Sequence, residues 1–198
     1  MGSWISGDGI IGWIIVISLA GIIIVIYNDI VQRVNSVDRA LGNIRVLTQR
    51  RYDLISQVVE VVSRYAKYEQ NLYERITRLR MEAYGTSPAS PEGKRIEQDL
   101  NAALKDLFAV GENYPRLKAS DNYRQLQMAL REVERDLALS RMAYNGAAKE
   151  YNDALMMFPW AIIAGIMGLR RKEMLSVEPG VMAKPNIRAA LDEVSGGK

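Results

Sequence analysis

From Ile10 to Tyr27 the chain reads "IIGWIIVISLAGIIIVIY", eighteen residues without a charge. At about 1.5 Å per helical residue this stretch matches the hydrocarbon core of a bilayer. A buried core helix and a cleaved signal peptide share its composition. A signal peptide, however, places positive charge first and an A-x-A-like site after. Here the first nine residues carry only Asp8, and no A-x-A follows. A core helix is seldom so purely Ile and Val, so the pattern predicts a retained membrane span, marked by Ile10, Trp13, Ile17, Gly21, Ile24 and Tyr27. Trp4, Trp13 and Tyr27 stand where interfacial aromatics belong, and Arg33, Arg39 and Arg45 follow on one side only. Lys and Arg concentrate in cytoplasmic flanks. The expected orientation is therefore a single pass with the N-terminus outside and the body in the cytoplasm of a bacterial cell. "MGSWIS" also fits an N-myristoylation pattern, which so close to a span reads as a chance match.

Past Tyr27 the apolar positions recur at three and four. Val34, Val37, Leu41 and Ile44 form one run, and Ile55, Val59, Val62, Ala66, Tyr73 and Ile76 continue it. No proline precedes Pro88. The span is therefore predicted to run into one long helix ending at "YGTSPASPEG", residues 84–93, which reads as a turn. A second helix is expected from Pro91 to Glu112, capped by Ser90. "NYPRLKAS" breaks it at Pro115. A third begins at Ser120 or Asp121, with Tyr123, Leu126, Leu130, Val133, Leu137, Ser140, Tyr144, Ala147, Tyr151, Leu155 and Phe158 in a 3,4 seam. Such a seam is read first as core packing, and charges opposite it, as in "REVERD", as a solvated face. The fold class is all-α: an N-terminal transmembrane helix continuing into a long-helix antiparallel bundle. The segments are 1–27 (N-terminus and span), 28–157 (cytoplasmic bundle), 158–174 (an apolar then basic contact segment) and 175–198 (a flexible tail with a short helix near 186–194).

Composition narrows the chemistry. The chain has 26 basic and 23 acidic residues, a net charge of +3, and neither His nor Cys. That mixed surface is no nucleic-acid footprint. Zinc sites of the usual kind and nucleophile–histidine pairs are excluded. Neither a P-loop nor a dinucleotide-binding glycine pattern occurs. No catalytic, metal or cofactor-binding residue is assigned, and no cofactor is expected. An enzyme built on carboxylates and lysines is the remaining catalytic alternative.

Four blocks resemble the LemA family. "YNDIVQRVNSVDRALGNIRVLTQRRYDLI" looks like its opening, and "VVEVVSRYAKYE" like its second block. "LFAVGENYPRLKASDNYRQLQMALREVERDLALSRMAYNGAAKEYN" resembles the third, and "FPWAIIAGIMGLRRKEML" the closing F-P motif. The likeness runs from about Gly9 to Glu178. It departs at Ser56, where the family usually has Pro, and at Tyr68-Glu69, where it usually has His-Glu. The magnetosome MamQ proteins are related to this family, and "ASDNY" at 119–123 resembles a block of that branch, which leaves the branch open. The resemblance implies a single-span bacterial membrane protein with a cytoplasmic helical bundle. It implies no settled activity and supplies no catalytic residues.

Two stretches call for a role. Arg50, Arg51 and Asp53 in "QRRYDLI" interrupt the apolar stripe, and Glu69 belongs to the next family block. These are either a charged partner site or an ion-pair cluster where helices cross. The second is favoured, with Arg51 meeting Glu134 or Glu150. Phe158 to Leu169 is too short to span a bilayer. An unbroken first helix carries the chain about 85 Å out, the second returns about 33 Å, and the third goes out about 57 Å again. Phe158 is thereby expected at a distal tip. Ala161 with Gly165, and Ala164 with Gly168, are small-xxx-small pairs. Arg170, Arg171 and Lys172 look like a basic collar. Phe158, Pro159, Trp160, Ile162, Ile163, Gly165, Ile166, Gly168, Arg170 and Arg171 are accordingly expected to touch another copy first and a second membrane surface, away from the anchoring bilayer, next, unless they are core. The expected function is a membrane-anchored, non-catalytic scaffold that self-assembles through its bundle. The alternatives are an adaptor or regulator of another membrane protein, such as a protease or signalling protein, and a carboxylate-based hydrolase. Expected partners are the lipid bilayer and further copies of the chain.

Overall fold

The computed structural model describes residues 7–88 and 90–176. The "MGSWIS" start with Trp4, the tail beyond 176 and the expected helix at 186–194 lie outside them. Six helices follow in order: α1 (Gly7–Tyr65), α2 (Gln70–Tyr84), α3 (Pro91–Glu112), α4 (Pro115–Lys118), α5 (Asp121–Ala154) and α6 (Trp160–Ile166). No strand occurs among the described residues, as an all-α chain requires.

The caps follow local chemistry. The Ser90 hydroxyl accepts from the Gly93 amide, with Pro91 at the first helical turn of α3, where its missing N–H costs nothing. Gly93 is needed for space, since a Cβ there would lie 2.1 Å from the Ser87 carbonyl oxygen. Pro115 opens the single turn of α4 and prevents α3 from continuing.

One boundary differs from expectation. The first helix does not reach Tyr84 but ends at Tyr65, and the chain turns over residues 66–69. Ala66 is fully buried there, its carbonyl accepts from the Tyr73 hydroxyl at 2.7 Å, and the Glu69 carbonyl accepts from the amides of Leu72 and Tyr73. α2 then runs back along α1: Arg80 donates to the Ser56 hydroxyl and Tyr84 to Gln49. The body therefore has four long helical stretches rather than three. No Gly or Pro marks this turn. Ala66 and Tyr73 lie seven residues apart, so the apolar period continues in phase across the break and reads as one helix.

The described residues fall into two compact units, the first built from α1 up to Gly42 with Ala143–Met174, the second from Asn43–Met142. In the second unit the core joins Ile55, Val58 and Val62 of α1, Ile76 of α2, Leu100 and Leu107 of α3, Leu117 of α4, and Tyr123 and Leu130 of α5. Each helix contributes one stripe, as burial of amphipathic faces demands. Tyr123, Leu126, Leu130, Val133 and Leu137 of the 3,4 seam are buried here, and Tyr144 and Tyr151 are buried in the first unit. The seam is thus largely core, with Ser140, Ala147 and Leu155 half-buried and Phe158 exposed beyond the end of α5 at Ala154.

In the first unit, Ile10 to Val25 are exposed along α1, the one helix among the described residues long and apolar enough to cross a membrane. Burial begins at Ile26 and Ile30, which form a small cluster with Ala164 of α6.

Candidate functional site

In the second unit, Arg51 of α1 is the one buried charged residue among those described. Its guanidinium faces Glu97 at 3.5 Å, Glu134 at 3.4 Å and the Asn101 side-chain oxygen. Arg141 of α5 donates to the same Glu97 carboxylate oxygen as Arg51. One guanidinium thus ties α1, α3 and α5 at their crossing. A buried charge is tolerated only with such partners. The expected Arg51–Glu134 pair is present. Glu150 is not its partner; the Glu150 backbone carbonyl accepts instead from Arg33 in the first unit. Arg50, Asp53 and Glu69 are exposed and do not join Arg51: Asp53 accepts from Gln49, and Glu69 stands at the start of α2 with no side-chain cap bond.

The partners not foreseen are Glu97, Asn101 and Arg141. Glu97 and Asn101 are four apart beside the Leu100 stripe, the one signal available in the sequence. Above Arg51 opens a cleft of about 380 Å³ that also takes in Lys105, Arg131 and Arg135. Five cations face two carboxylates there. Both carboxylates already accept from guanidinium groups, which suits them to holding helices and an acidic ligand's rim rather than to general-base work. Burial also pushes the neighbouring Tyr52 hydroxyl above its ordinary pKa, so it stays protonated. Among the described residues no cluster of three carboxylates is placed to hold a metal ion.

In the first unit the sequence-singled stretch 158–173 is placed differently from expectation. Phe158 is not at a distal tip. The extra reversal at 66–69 brings α5 back, and α6 packs where α1's apolar stretch ends. The Trp160 indole N–H donates to the Asp29 carboxylate at 2.8 Å, and Arg33 donates to the same oxygen at 2.9 Å. Trp160, Ile163 and Leu169 back the Ile26–Ile30–Ala164 cluster. Phe158, Ile162 and Ile166 remain exposed, whereas Pro159 and Ile163 are half-buried. Gly165 is open on its outer side, and Gly168 takes φ +65, which a side chain would resist. The segment after it is strapped along α5. The Tyr151 hydroxyl donates to the Arg170 carbonyl, Asn152 exchanges two bonds with the Lys172 backbone, and the Tyr144 hydroxyl donates to the Glu173 carbonyl. Arg170 and Arg171 face solvent. Asp29, Tyr144, Tyr151 and Asn152 were not singled out in the sequence. The sign that was there is Asp29 with Arg33, four apart, directly after an uncharged span.

The hydrogen bond from Arg33 holds the Asp29 carboxyl below its ordinary value of 3.8; burial opposes this, and the Trp160 N–H and the Arg33 charge add to it. A depressed carboxyl favours the packed state above the unfolded pKa, and that contribution is lost as pH falls through the folded value. With Trp4 and Trp13 changed to Phe, Trp160 fluorescence is expected to stay constant from neutral pH down to the ordinary carboxylate range. It should change only below 3.8, and Asp29→Asn should remove that acid step.

The fold defines a class: a membrane-associated helical-bundle protein whose first helix carries both the apolar stretch and part of the bundle core. Residues 40–188 match the LemA family, and the chain belongs to it. Among curated proteins it is similar to magnetosome proteins MamQ 2 and MamQ 1 of Paramagnetospirillum magneticum, each 26% identical over 87% of this chain and 75% of the relative. It is also similar to magnetosome protein MamQ of Magnetospirillum gryphiswaldense, 26% identical over 77% of this chain and 65% of that protein.

Proposed function

We propose that this chain is a non-catalytic structural protein held in a bacterial membrane by Ile10–Tyr27, with its body on the cytoplasmic side, where copies assemble into a scaffold. One observation carries the reading: α1 changes without a break from an exposed apolar surface, Ile10–Val25, to a buried stripe beginning at Ile26, Ile30 and Val37. The same helix thus anchors and packs. Family membership and the absence of His and Cys support a structural over a catalytic role. Because the α5 seam is spent inside the chain, copies meet through outer faces, where Val46, Met128 and Leu139 stay exposed.

The test is the particle mass in mild detergent. A multiple of the 22.3 kDa chain is expected, and a species of single-chain mass at all concentrations overturns self-assembly. For the orientation, protease added to sealed, right-side-out cells should leave the body intact; its digestion from outside would reverse the assigned sides.

The cationic cleft above Arg51 favours one second reading, an adaptor that seats an acidic segment of another membrane protein. A foreign chain recovered in fixed stoichiometry, and lost on Arg131→Glu with Arg135→Glu, would support the adaptor over the scaffold. Steady hydrolysis abolished by Glu97→Gln or Glu134→Gln would replace both readings with a carboxylate enzyme.

A further inference from the structure

The exposed side of α6 is an apolar surface with an unusual location. Ile162 and Ile166 are four apart on one side of α6, and Phe158 stands just before the helix; the three are 56%, 81% and 80% exposed. The opposite side is taken up by packing, since Trp160, Ile163 and Ala164 belong to the cluster with Ile26 and Ile30. Met156 and Met157, in the turn before α6, add two more exposed apolar side chains. α6 carries no charge, and Arg170 and Arg171 follow it on the solvent side.

The neighbours on α1 set the level of this surface. Ile26 lies inside the uncharged stretch and Ile30 one turn beyond it, about 6 Å further along the helix axis. The Trp160–Asp29 hydrogen bond pins α6 at that height. If Ile10–Tyr27 is embedded, the outer side of α6 is at the depth where acyl chains give way to headgroups. Exposed apolar side chains at that depth are covered by lipid, and adjacent guanidinium groups meet phosphates. The strap formed by Tyr151, Asn152 and Tyr144 then leads the chain along α5.

The geometry points to α6 as a second membrane contact: a short interfacial foot that inserts Phe158, Ile162 and Ile166 into the same bilayer that holds the α1 span, at the leaflet next to Tyr27. The inference rests on the anchoring reading and adds to it. The chain would be mounted at two points, by a spanning helix and a foot locked to its end. The packed side of α6 sits on Ile26 and Ile30, directly where the exposed apolar stretch Ile10–Val25 ends, which is why the bilayer rather than a second copy is its occupant.

The absence of cysteine makes the test clean. Single variants Ile166→Cys, Phe158→Cys, Ile17→Cys and Tyr68→Cys of the full chain are labelled with an environment-sensitive fluorophore. They are reconstituted in phosphatidylcholine–phosphatidylglycerol vesicles containing lipids that carry a quencher either high or low in the acyl chain. The Ile166 and Phe158 probes are expected to shift to the blue. They should be quenched at least about twofold more than the Tyr68 probe, most strongly by the high-placed quencher, as an interfacial depth requires. The Ile17 probe should respond most to the low-placed one. Quenching at Ile166 no greater than at Tyr68, with Ile17 normally quenched, overturns the foot and leaves the anchor standing. A blue-shifted Ile166 probe that lipid quenchers do not reach assigns the surface to another protein copy and equally overturns it. An unquenched Ile17 probe removes the anchor, and the foot with it.

Discussion

Replacing Arg51 with Ala should destabilise the second unit by about 2–4 kcal/mol. Removing one member of a buried ion pair costs roughly 3–5 kcal/mol, because the remaining charge loses both its partner and its water. Two features lower the figure here. The Glu134 side chain is 45% exposed and can rehydrate, and Glu97 keeps Arg141. The partners are therefore unequal. Glu134→Ala should cost at most about 1 kcal/mol, as for exposed pairs, while Arg51 retains Glu97 and Asn101. Arg51→Lys should not rescue fully, since an ammonium is a point charge and cannot present a planar fork to Glu97, Asn101 and Glu134 at once. Urea denaturation of the detergent-solubilised chain, with hydrogen exchange on peptides of residues 43–142 to locate the effect, is the measurement. Equal costs for Arg51→Ala and Glu134→Ala would contradict the burial asymmetry.

Tyr151→Ala is expected to have a comparable effect on the first unit. The Tyr151 ring is 2% exposed, and removing a buried aromatic side chain costs roughly 3–5 kcal/mol in lost burial and cavity formation. Its hydroxyl also holds the Arg170 carbonyl, so the strap that follows α6 loosens with it. Tyr151→Phe separates the two contributions: the ring stays and one hydrogen bond goes, at about 1 kcal/mol. Hydrogen exchange across residues 160–173 reports both. Ala at 151 should expose the amides of Met167 and Leu169, which bond to the Ile163 and Ala164 carbonyls. Phe should speed exchange only modestly. Unchanged protection of this segment in the Ala variant would mean that the strap does not hold α6 in place.

Much of this protein is written locally. An uncharged run of Ile and Val is long enough to cross a membrane whatever surrounds it. Ser90 with Pro91, and Pro115, act through their own backbone chemistry, so the ends of α3 and the start of α4 were legible. The 3,4 seam of α5 was legible for the same reason, because a helix's buried face repeats with the helix's own period. Arg51 was visible as a charge interrupting an apolar stripe, and Glu134 as a partner on the right face of α5. Glu97 and Asn101 were not, since polar residues beside a stripe look alike whether they meet a guanidinium or water.

The tertiary structure alone decided the turn at residues 66–69. No residue there breaks a helix, and the apolar phase carries through it; the chain turns because Ala66, Val62 and Ile76 are buried together and Tyr73 satisfies the carbonyl left open. That single reversal changes the parity of the path. With three body helices Phe158 was expected far from the span; with four, α6 packs against Ile26 and Ile30. Period and composition report which residues want to be buried. The number of times the chain turns back is set by which stripes find one another, and that is a property of the packed molecule.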